Sequence, residues 1–263
     1  MLNKNISPQQ LRDLSGVGQF KSHTAGYCQG FIQANLVVLP QKYADDFELF
    51  CRKNPKPCPL LEKIGPGKYR SLKLAKGADI RSTIPKYKVF INGIPTQEVN
   101  HIVDFYQRDQ VFFLIGCSYS FENILLKAGI ELRHISEGKN VSMFNTNIKL
   151  NSQGPFYGNM VVSMRPVKEN RVSEAITLTA RFPKMHGSPV HVGTPEAIGI
   201  SDINKADYGE NVNIHENEVP LFWACGVTPQ NILLNAKIPF AITHSPGFIF
   251  VSDLRDEHYI SRS

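Results

Sequence analysis

The sequence has no hydrophobic run that approaches the roughly 18 consecutive apolar residues of a membrane-spanning helix. Its N-terminal stretch, MLNKNISPQQLRDLSGVG, also lacks the apolar core of a secretory signal. Neither a membrane protein nor an exported one is indicated. We therefore expect a cytoplasmic protein that has no membrane partner.

Cysteine is scarce, and its spacing is irregular. The five cysteines are Cys28, Cys51, Cys58, Cys117 and Cys225. An odd number of cysteines without zinc-type spacing favours neither a disulfide framework nor a structural metal site. We expect reduced thiols and no bound metal.

The motifs of the common nucleotide cofactors are also missing. The sequence contains no P-loop, dinucleotide fingerprint or nucleophile elbow, so we expect no cofactor. The formal net charge is +6, but the basic residues are scattered, and the densest stretch, residues 68–76, has no aromatic RNA-binding signature beside it. We therefore expect no nucleic-acid partner and interpret the charge as suited to a small anionic substrate.

The composition is that of an ordinary globular protein. With 42% hydrophobic and 20% charged residues over 263 positions, the chain can bury a core as one large domain or two small ones. Ser7, Pro8 and Gln10 form a capping box with proline at the first helical position, which predicts a helix start. The oligomeric state is left open, a homo-oligomer included.

Strand and helix patterns alternate along the chain. Residues 31–40 and 110–118 are apolar enough to be strands buried on both faces, and residues 43–54 carry apolar side chains at helical spacing. We interpret residues 87–93 as a strand and residues 96–106 as a helix. This alternation predicts a parallel sheet.

One pattern occurs twice. When residues 113–130 are laid over residues 221–238, Cys117 falls on Cys225, and the sequence Asn-Ile-Leu-Leu follows at the same distance in both copies. Each copy reads as a strand, a turn that carries cysteine, and a helix. A histidine comes after each helix, His134 in the first copy and His244 in the second. We expect an internal duplication of this unit.

The two cysteines are the first candidates for chemistry. Ligands of open α/β sheets bind where strands end and helices begin, so Cys117 and Cys225 are expected to line one crevice. A helix N-terminus lowers the pKa of a thiol, which would make each a reactive thiolate. The alternative is that each cysteine is a small buried apolar residue. Glu122 is likewise either a proton-transfer group or a cap that interacts with the helix dipole.

Several polar turns could bind a carboxylate or an amide. They contain Gln33, Asn35, Asn147, Arg165, His186 and His191. The last two histidines are five positions apart across a turn, unlike the i, i+4 pair of helical zinc sites, so hydrogen bonding is favoured over metal binding.

Long blocks of the sequence resemble one family. Segments such as NPKPCPLLE, GADIRSTIPKYKVF, HGSPVHVGTPEAIGISD, FWACGVTPQ and ITHSPGFIFVSDL are similar to the D-glutamate cyclase family, whose bacterial members are usually labelled as provisional hydro-lyases. The resemblance runs from about Thr24 to Leu254. One departure is Phe248, because family members often carry histidine after the final Pro-Gly.

The resemblance implies an α/β fold: a three-layer αβα main domain accompanied by a smaller two-layer α+β domain. We place the smaller domain at residues 139–204 and the main domain at residues 1–138 together with 205–263. The implied activity closes D-glutamate to 5-oxo-D-proline with loss of water, which is hydro-lyase chemistry.

That reaction needs a neutral amine, a held carboxylate and a stabilised oxyanion. Our candidates for catalysis are Cys225, Cys117, His244 and Glu122, with His134 as another proton carrier. Arg165 or Arg81 could bind the substrate's carboxylate, unless either forms a structural ion pair. The full set of candidate substrate-binding residues is Arg165, Arg81, Asn147, Gly226, Thr228, His186, His191, Gln33 and Asn35.

Within the turn after the second strand, Gly226 permits close backbone approach, and Thr228 is expected to cap the following helix. Two other functions stay open. Two quasi-symmetric cysteines could serve a cofactor-free racemase or epimerase, or another lyase, acting on a small amino or hydroxy acid. The chain could also be a non-catalytic protein that binds a small acid.

Overall fold

The computed structural model describes residues 3–261 and has a mixed α/β fold. The helices of the described residues are α1 (Pro8–Gly16), α2 (Ala44–Lys53), α3 (Glu122–Lys127), α4 (Arg133–Ser136), α5 (Val172–Ala180) and α6 (Thr228–Ala236). The strands are β1 (Phe31–Pro40), β2 (Leu60–Ile64), β3 (Tyr87–Ile91), β4 (Ile94–Val99), β5 (Gln110–Gly116), β6 (Ser142–Lys149), β7 (Asn159–Lys168), β8 (His191–Val192), β9 (Glu218–Ala224), β10 (Phe240–His244) and β11 (Phe250–Arg255). Among the helices of residues 3–261, none combines the length and apolar character that a bilayer crossing requires.

The larger sheet has seven strands in the order β2-β5-β1-β10-β3-β4, with β11 paired to β1 beside this path. Every one of these pairings is antiparallel, so the prediction of a parallel sheet was wrong. A strand whose residues are all apolar is expected to be buried on both faces of its sheet. An antiparallel sheet can be covered on both faces just as a parallel sheet can. Direction is therefore not encoded in this pattern.

A second correction concerns residues 96–106, which we predicted to be a helix. Residues 94–99 form the exposed edge strand β4, which pairs with β3 across a turn at Asn92 and Gly93. Both turn residues have positive φ, as the favoured two-residue hairpin turn requires. The Asn92-Gly93 pair was thus a stronger local signal for a hairpin than the pattern of residues 96–106 was for a helix. The helix start predicted at Ser7 is confirmed, with both hydrogen bonds of the capping box present.

The smaller sheet has four antiparallel strands in the order β6-β7-β9-β8. Strand β9 lies outside the segment 139–204 assigned to the smaller domain, yet it is the central partner of β7. The small sheet therefore reaches further along the chain than that segment. Whether the two sheets are separate domains stays a prediction.

The duplication extends well beyond the repeated cysteine unit. Strand β1, a 3₁₀ turn and α2 follow each other without a gap, as do β7, a 3₁₀ turn and α5. The strand order β2-β5-β1 in the large sheet matches β8-β9-β7 in the small one. Ala34 faces Gly116 in one ladder and Val162 faces Ala224 in the other, so both registers place the cysteine one position after the pair.

The two halves exchange helices. One face of the large sheet packs on α2 and on α6, which comes from the second half of the chain. One face of the small sheet packs on α5 and on α3, which comes from the first half. The opposite faces are covered mainly by ordered loops instead of α-helices. Because each sheet is completed by a helix of the other half, the ends of β5 and β9 are brought together.

Glu62 organises the loop that covers the large sheet. Its buried carboxylate accepts hydrogen bonds from the Ser71 hydroxyl at 2.7 Å and from the backbone N–H groups of residues 72, 73 and 74 at 2.7, 3.1 and 3.2 Å. Four donors therefore converge on the Glu62 side chain. A substitution at Glu62 thus tests how the loop is held against the large sheet.

We expect Glu62→Gln to lower the free energy of unfolding by about 2–3 kcal/mol, because the new amide turns N–H donors toward other donors. Urea unfolding followed by circular dichroism would measure the loss. Glu137→Gln, at an exposed ion pair with Lys139, is the matched control and should cost less than about 1 kcal/mol. Equal losses in the two variants would contradict the role given to Glu62.

Candidate functional site

Cys117 and Cys225 lie in one buried cluster between the two sheets. This group, called here the thiol cluster, consists of Ala25, Cys117, Tyr119, Val141, Met143, Val161, Cys225, Val227 and Ile249. Cys117 directly follows β5, and Cys225 directly follows β9. The structure thus brings together the two residues that the repeat placed in parallel positions. They retain only 6% and 7% exposure, so they line a closed interior and not an open crevice.

Burial makes both thiols weak acids. It is the main reason that the pKa of Cys225 is raised to about 11, although the Val227 N–H and the charge of Arg165 act in the opposite direction. Burial raises the pKa of Cys117 further, with added repulsion from Cys225 and Glu122. The prediction of reactive thiolates was therefore wrong for this closed state, because loss of hydration outweighs the nearby helix ends.

Asn35 joins the two cysteine turns. Its Nδ2 donates to the Gly116 carbonyl at 2.8 Å, and a Cβ atom added at Gly226 would lie 1.9 Å from that Nδ2. Only glycine fits at position 226 while the amide stays in place. Asn35 and Gly226 therefore have a structural reason to be present at the point where the turns meet.

Thr228 fastens the second turn but does not cap α6 as we expected. Its hydroxyl donates to the Cys225 carbonyl at 2.7 Å and accepts the Val161 N–H at 3.1 Å. Val227 is the N-cap residue, and it makes no side-chain hydrogen bond to the helix. Thr228 thus ties the cysteine turn to β7, and we correct its predicted role accordingly.

Behind the thiols lies a buried ion pair between Arg165 and Glu122. Arg165 Nε and Nη2 both donate to Glu122 Oε1, at 3.0 and 2.5 Å. The guanidinium also donates hydrogen bonds to the Ser118 hydroxyl at 3.0 Å and the Ser163 hydroxyl at 3.1 Å. Arg165 is fully buried, so it is a structural ion pair in this state rather than an open clamp for a carboxylate.

Glu122 is ionised in spite of its burial. Burial alone would raise its pKa, but the charges of His134 and Arg165 outweigh that effect and hold the pKa below its ordinary value of 4.5. His134 Nε2 lies 3.0 Å from the same carboxylate oxygen that Arg165 contacts. Glu122 is in the first turn of α3, as expected, but its side chain serves these two partners.

Sequence reasoning missed Tyr119 and Asn140. The Tyr119 ring is nearly parallel to that of His134, with centroids 6.3 Å apart, and its hydroxyl donates to Asn140 Oδ1 at 2.6 Å. Asn140 Nδ2 in turn donates to the Pro246 carbonyl at 3.0 Å. Proximity to Cys117 in the sequence could have indicated Tyr119, whereas no local pattern marks Asn140.

His244 is buried at the point where β1 changes partner from β11 to β10. Its Nδ1 accepts the Leu36 N–H at 3.1 Å, and burial lowers its pKa to about 4. The imidazole is therefore neutral at physiological pH. Among the described residues, no side-chain hydrogen bond links it to either thiol.

Two other buried candidates have internal partners. Gln33 accepts the Thr24 hydroxyl at 2.7 Å and donates to the Tyr27 carbonyl at 3.1 Å. His186 lies 2.7 Å through Nδ1 from the Lys56 carbonyl, and burial lowers its pKa to about 4. Both side chains are thus used in holding loops together.

The remaining candidates are not brought to the thiol cluster. Arg81 pairs with Asp79 at 2.7 Å and stacks 3.4 Å from the centre of the Tyr69 ring, in the loop layer of the large sheet. Asn147 is exposed beside Gly199, and His191 Nε2 lies 2.7 Å from the Thr194 carbonyl. Arg81 thus forms the structural ion pair that the sequence left open beside the role of a carboxylate clamp.

The position at which this chain departs from its resemblance is also visible. Lys86 Nζ lies 4.8 Å above the Phe248 ring, which puts a cation against an aromatic face where a histidine could make a hydrogen bond. Within residues 3–261, no group of three or more histidine, cysteine, aspartate or glutamate residues is arranged to hold a metal ion.

The sequence matches known proteins over most of its length. Residues 111–253 match the profile of the D-glutamate cyclase family. A provisional hydro-lyase of Natranaerobius thermophilus is 50% identical over 250 residues, covering 95% of this chain and 96% of that protein. A second, from Staphylococcus haemolyticus, is 50% identical over 253 residues, covering 96% and 97%.

A solved structure, that of a nitrogen repressor-like protein from Methanococcus jannaschii, superposes with a TM-score of 0.38 at 11% identity and covers 90% of this chain and 91% of that one. This likeness is too low to define the fold.

We expect Arg165→Met to lower the free energy of unfolding by about 3–5 kcal/mol, because Glu122 would remain as a buried charge without its guanidinium. Adding Glu122→Gln should recover part of that loss. Urea unfolding of the two single variants and the double variant would give the coupling energy. Arg52→Met, at a surface ion pair with Glu48 in which the arginine side chain is 71% exposed, is the control and should change stability little.

The same cycle has a pH dependence of known sign. Because the pKa of Glu122 is lower in the folded chain than its ordinary value of 4.5, the carboxylate's stabilisation is present above that pH and is lost as the pH falls through the folded value. Glu122→Gln should flatten the acid limb of the stability curve. Independent, additive losses for the two substitutions would contradict the pairing.

Proposed function

Since the chain belongs to the D-glutamate cyclase family, we propose that it is a hydro-lyase that closes D-glutamate to 5-oxo-D-proline with release of water. The observation that carries this proposal is the meeting of Cys117 and Cys225 in one cluster, backed by the Glu122–Arg165 ion pair. The substrate is a small anionic acid, as the basic charge of the chain suggests.

The proposed reaction moves two protons. A carbon–nitrogen bond forms between the α-amino group and the γ-carboxyl carbon, and one carbon–oxygen bond of that carboxyl breaks. If the amine begins as an ammonium and the acid as a carboxylate, both protons lost by nitrogen leave on the departing oxygen as water. A site for this reaction therefore needs groups that accept protons at one position and give them at another.

The two thiols fit that requirement in this proposal. A thiol with its pKa raised to about 11 is protonated at neutral pH, and departing hydroxide is a stronger base that can take its proton. The thiolate left behind then takes the second proton from nitrogen, the first having passed from the ammonium to the γ-carboxylate before the carbon–nitrogen bond forms. The positive charge of Arg165 opposes the effect of burial on both thiol pKa values, so it favours the transient thiolate.

The other groups have supporting roles in the proposal. Glu122 holds the Arg165 guanidinium in place, and His134 Nε2 lies 3.0 Å from the same carboxylate oxygen. Asn35 holds the two turns at a fixed separation through Gly116 and Gly226. His244, without a contact to the thiols, is assigned a structural role at the end of β10.

The same arrangement supports a second candidate. Two thiols that approach a Cα atom from opposite sides could remove and return its proton, as in a cofactor-free racemase or epimerase. The equivalent positions of Cys117 and Cys225 in the two halves favour such a geometry. Deuterium entering unreacted D-glutamate from solvent, without loss of water, would support this reaction over cyclisation.

We expect slow conversion of D-glutamate to 5-oxo-D-proline, with L-glutamate a poorer substrate. Chiral chromatography with mass spectrometry would detect a product that is lighter than the substrate by one water. Glutamine and small hydroxy acids complete the substrate panel. No product above the uncatalysed rate from either glutamate enantiomer, with folded protein, would refute the proposal. A ligand-induced rise in melting temperature without turnover would instead indicate a binding protein.

We expect Cys225→Ser to lower turnover by at least about a hundredfold, because a serine hydroxyl is a much weaker proton donor than a thiol. The melting temperature should change little, since serine can accept the Val227 N–H that lies 3.5 Å from the thiol sulfur.

Cys58→Ser is the matched control. Cys58 is fully buried in the core cluster of the large sheet, away from the thiol cluster. Its serine variant should lose about 1–3 kcal/mol of stability and keep its turnover at a temperature where it is folded. A Cys225→Ser protein that is destabilised but fully active would show that the thiol serves only in packing.

A further inference from the structure

A surface cavity of about 440 Å³ lies between the N-terminal segment and the loop that precedes β6. It is lined by Lys4, Phe20, Lys21, His23, Tyr27 and Gly138, among others. Phe20 and Tyr27 meet edge to face, with ring centres 5.0 Å apart, and supply an apolar wall. The volume falls in the range of small-molecule sites.

The Lys4 ammonium is held over this cavity without a charged partner. A Cβ atom at Gly26, whose φ is +75°, would lie 3.4 Å from Lys4 Nζ, so the absence of a side chain at position 26 leaves room for the head group. Nζ has one long hydrogen bond, 3.5 Å to the Ile135 carbonyl. Within residues 3–261, neither Lys4 nor Lys21 takes part in an ion pair, so both charges are available to an anion.

His23 supplies a further polar group on the inner wall. Its Nδ1 is buried and has no hydrogen-bond partner in the described part of the chain. Burial lowers its pKa, the Gly138 carbonyl and Glu210 oppose that change, and the charges of His134 and Lys4 add to it. A neutral imidazole with a free ring nitrogen can donate to, or accept from, a bound carboxylic acid group.

The cavity is close to the buried network behind the thiols. Gly138, which lines the cavity, donates its N–H to the Ile135 carbonyl at 3.2 Å, next to His134, whose Nε2 lies 3.0 Å from Glu122. Glu210, the acidic group that acts on His23, already accepts the Asn140 N–H at 2.9 Å through Oε1. Glu210 is thus engaged elsewhere, and the two lysines that line the cavity leave an excess of positive charge there.

We propose that this cavity binds a carboxylate group of a small organic acid, with the Lys4 ammonium and the His23 imidazole as its recognition groups. That this acid is the substrate of the thiol cluster rests on the proposed function. That the cavity binds a carboxylate does not rest on it. The apolar wall of Phe20 and Tyr27 accommodates the methylene groups of such an acid. The cavity, whose lining includes no residue of the thiol cluster, is called here the carboxylate subsite.

The test uses glutarate, a dicarboxylate that lacks the amine and cannot cyclise. We expect glutarate to raise the melting temperature of the wild-type chain, and added potassium chloride to weaken the effect. Lys4→Gln should raise the dissociation constant for glutarate by about tenfold or more, because it removes a charged hydrogen bond. Lys68→Gln, at an exposed lysine away from the cavity, is the matched control and should bind as the wild type does.

Kinetics with D-glutamate give the second measurement. Lys4→Gln should raise KM about tenfold and leave kcat near the wild-type value, the signature of an interaction made equally in the ground state and the transition state. His23→Gln is a second variant that keeps a polar side chain and should weaken glutarate binding. It keeps the test available if Lys4→Gln folds poorly.

The outcomes separate the two proposals. If the wild type converts D-glutamate but both variants match it in KM and in glutarate binding, the carboxylate subsite is wrong and the cyclase function stands. If no conversion occurs but glutarate binding is lost in the variants, the subsite stands and the proposed reaction is wrong. Failure of glutarate to bind the wild-type chain would overturn the subsite directly.

Discussion

A fully buried guanidinium determines how the two sheets of this protein meet. Arg165 is on β7 of the small sheet, and its carboxylate partner Glu122 begins the helix that follows β5 of the large one. A buried charge is tolerated only where its hydrogen bonds are satisfied, so the two serine hydroxyls that Arg165 contacts are part of the same constraint. A shift of one sheet against the other would break the bonds from Arg165 to Glu122 and Ser118 together, and the cysteine turns are held in register as a consequence.

The ion pair is also where the duplicated halves differ. The matching ladders place Arg165 opposite Leu221 in the small sheet, and at the equivalent step Val37 lies opposite Phe113 in the large one. One half therefore has an ordinary apolar residue where the other has a charge. The internal duplication brings the two thiols together. The position where the halves differ, Arg165, provides the charged group beside them. Exchange of helices between the halves encloses this point on both sides.

The sequence was sufficient for part of this result, and the reasons are physical. Local signals gave the helix start at Ser7, because a capping box acts within four residues. The repeat around Cys117 and Cys225 could be seen in the sequence because both copies pack in the same way. Strand direction and the partners of Arg81 and Arg165 depended on contacts distant in sequence, which no local pattern encodes. Asn140 is the clearest case, since its importance lies in Tyr119 and Pro246.

The asymmetry has a chemical consequence for the thiols. Burial is the largest influence on both thiol pKa values, and Arg165 opposes it at both, but Glu122 and Cys225 raise the pKa of Cys117 further. Two thiols at symmetric positions are thereby given unequal acidity, and Cys225 is the readier donor. A proton passed between unequal groups has a preferred direction, which a reaction that carries protons from nitrogen to a departing oxygen requires. For the proposed cyclisation, the buried ion pair thus makes the two thiols chemically distinct within a near-symmetric fold.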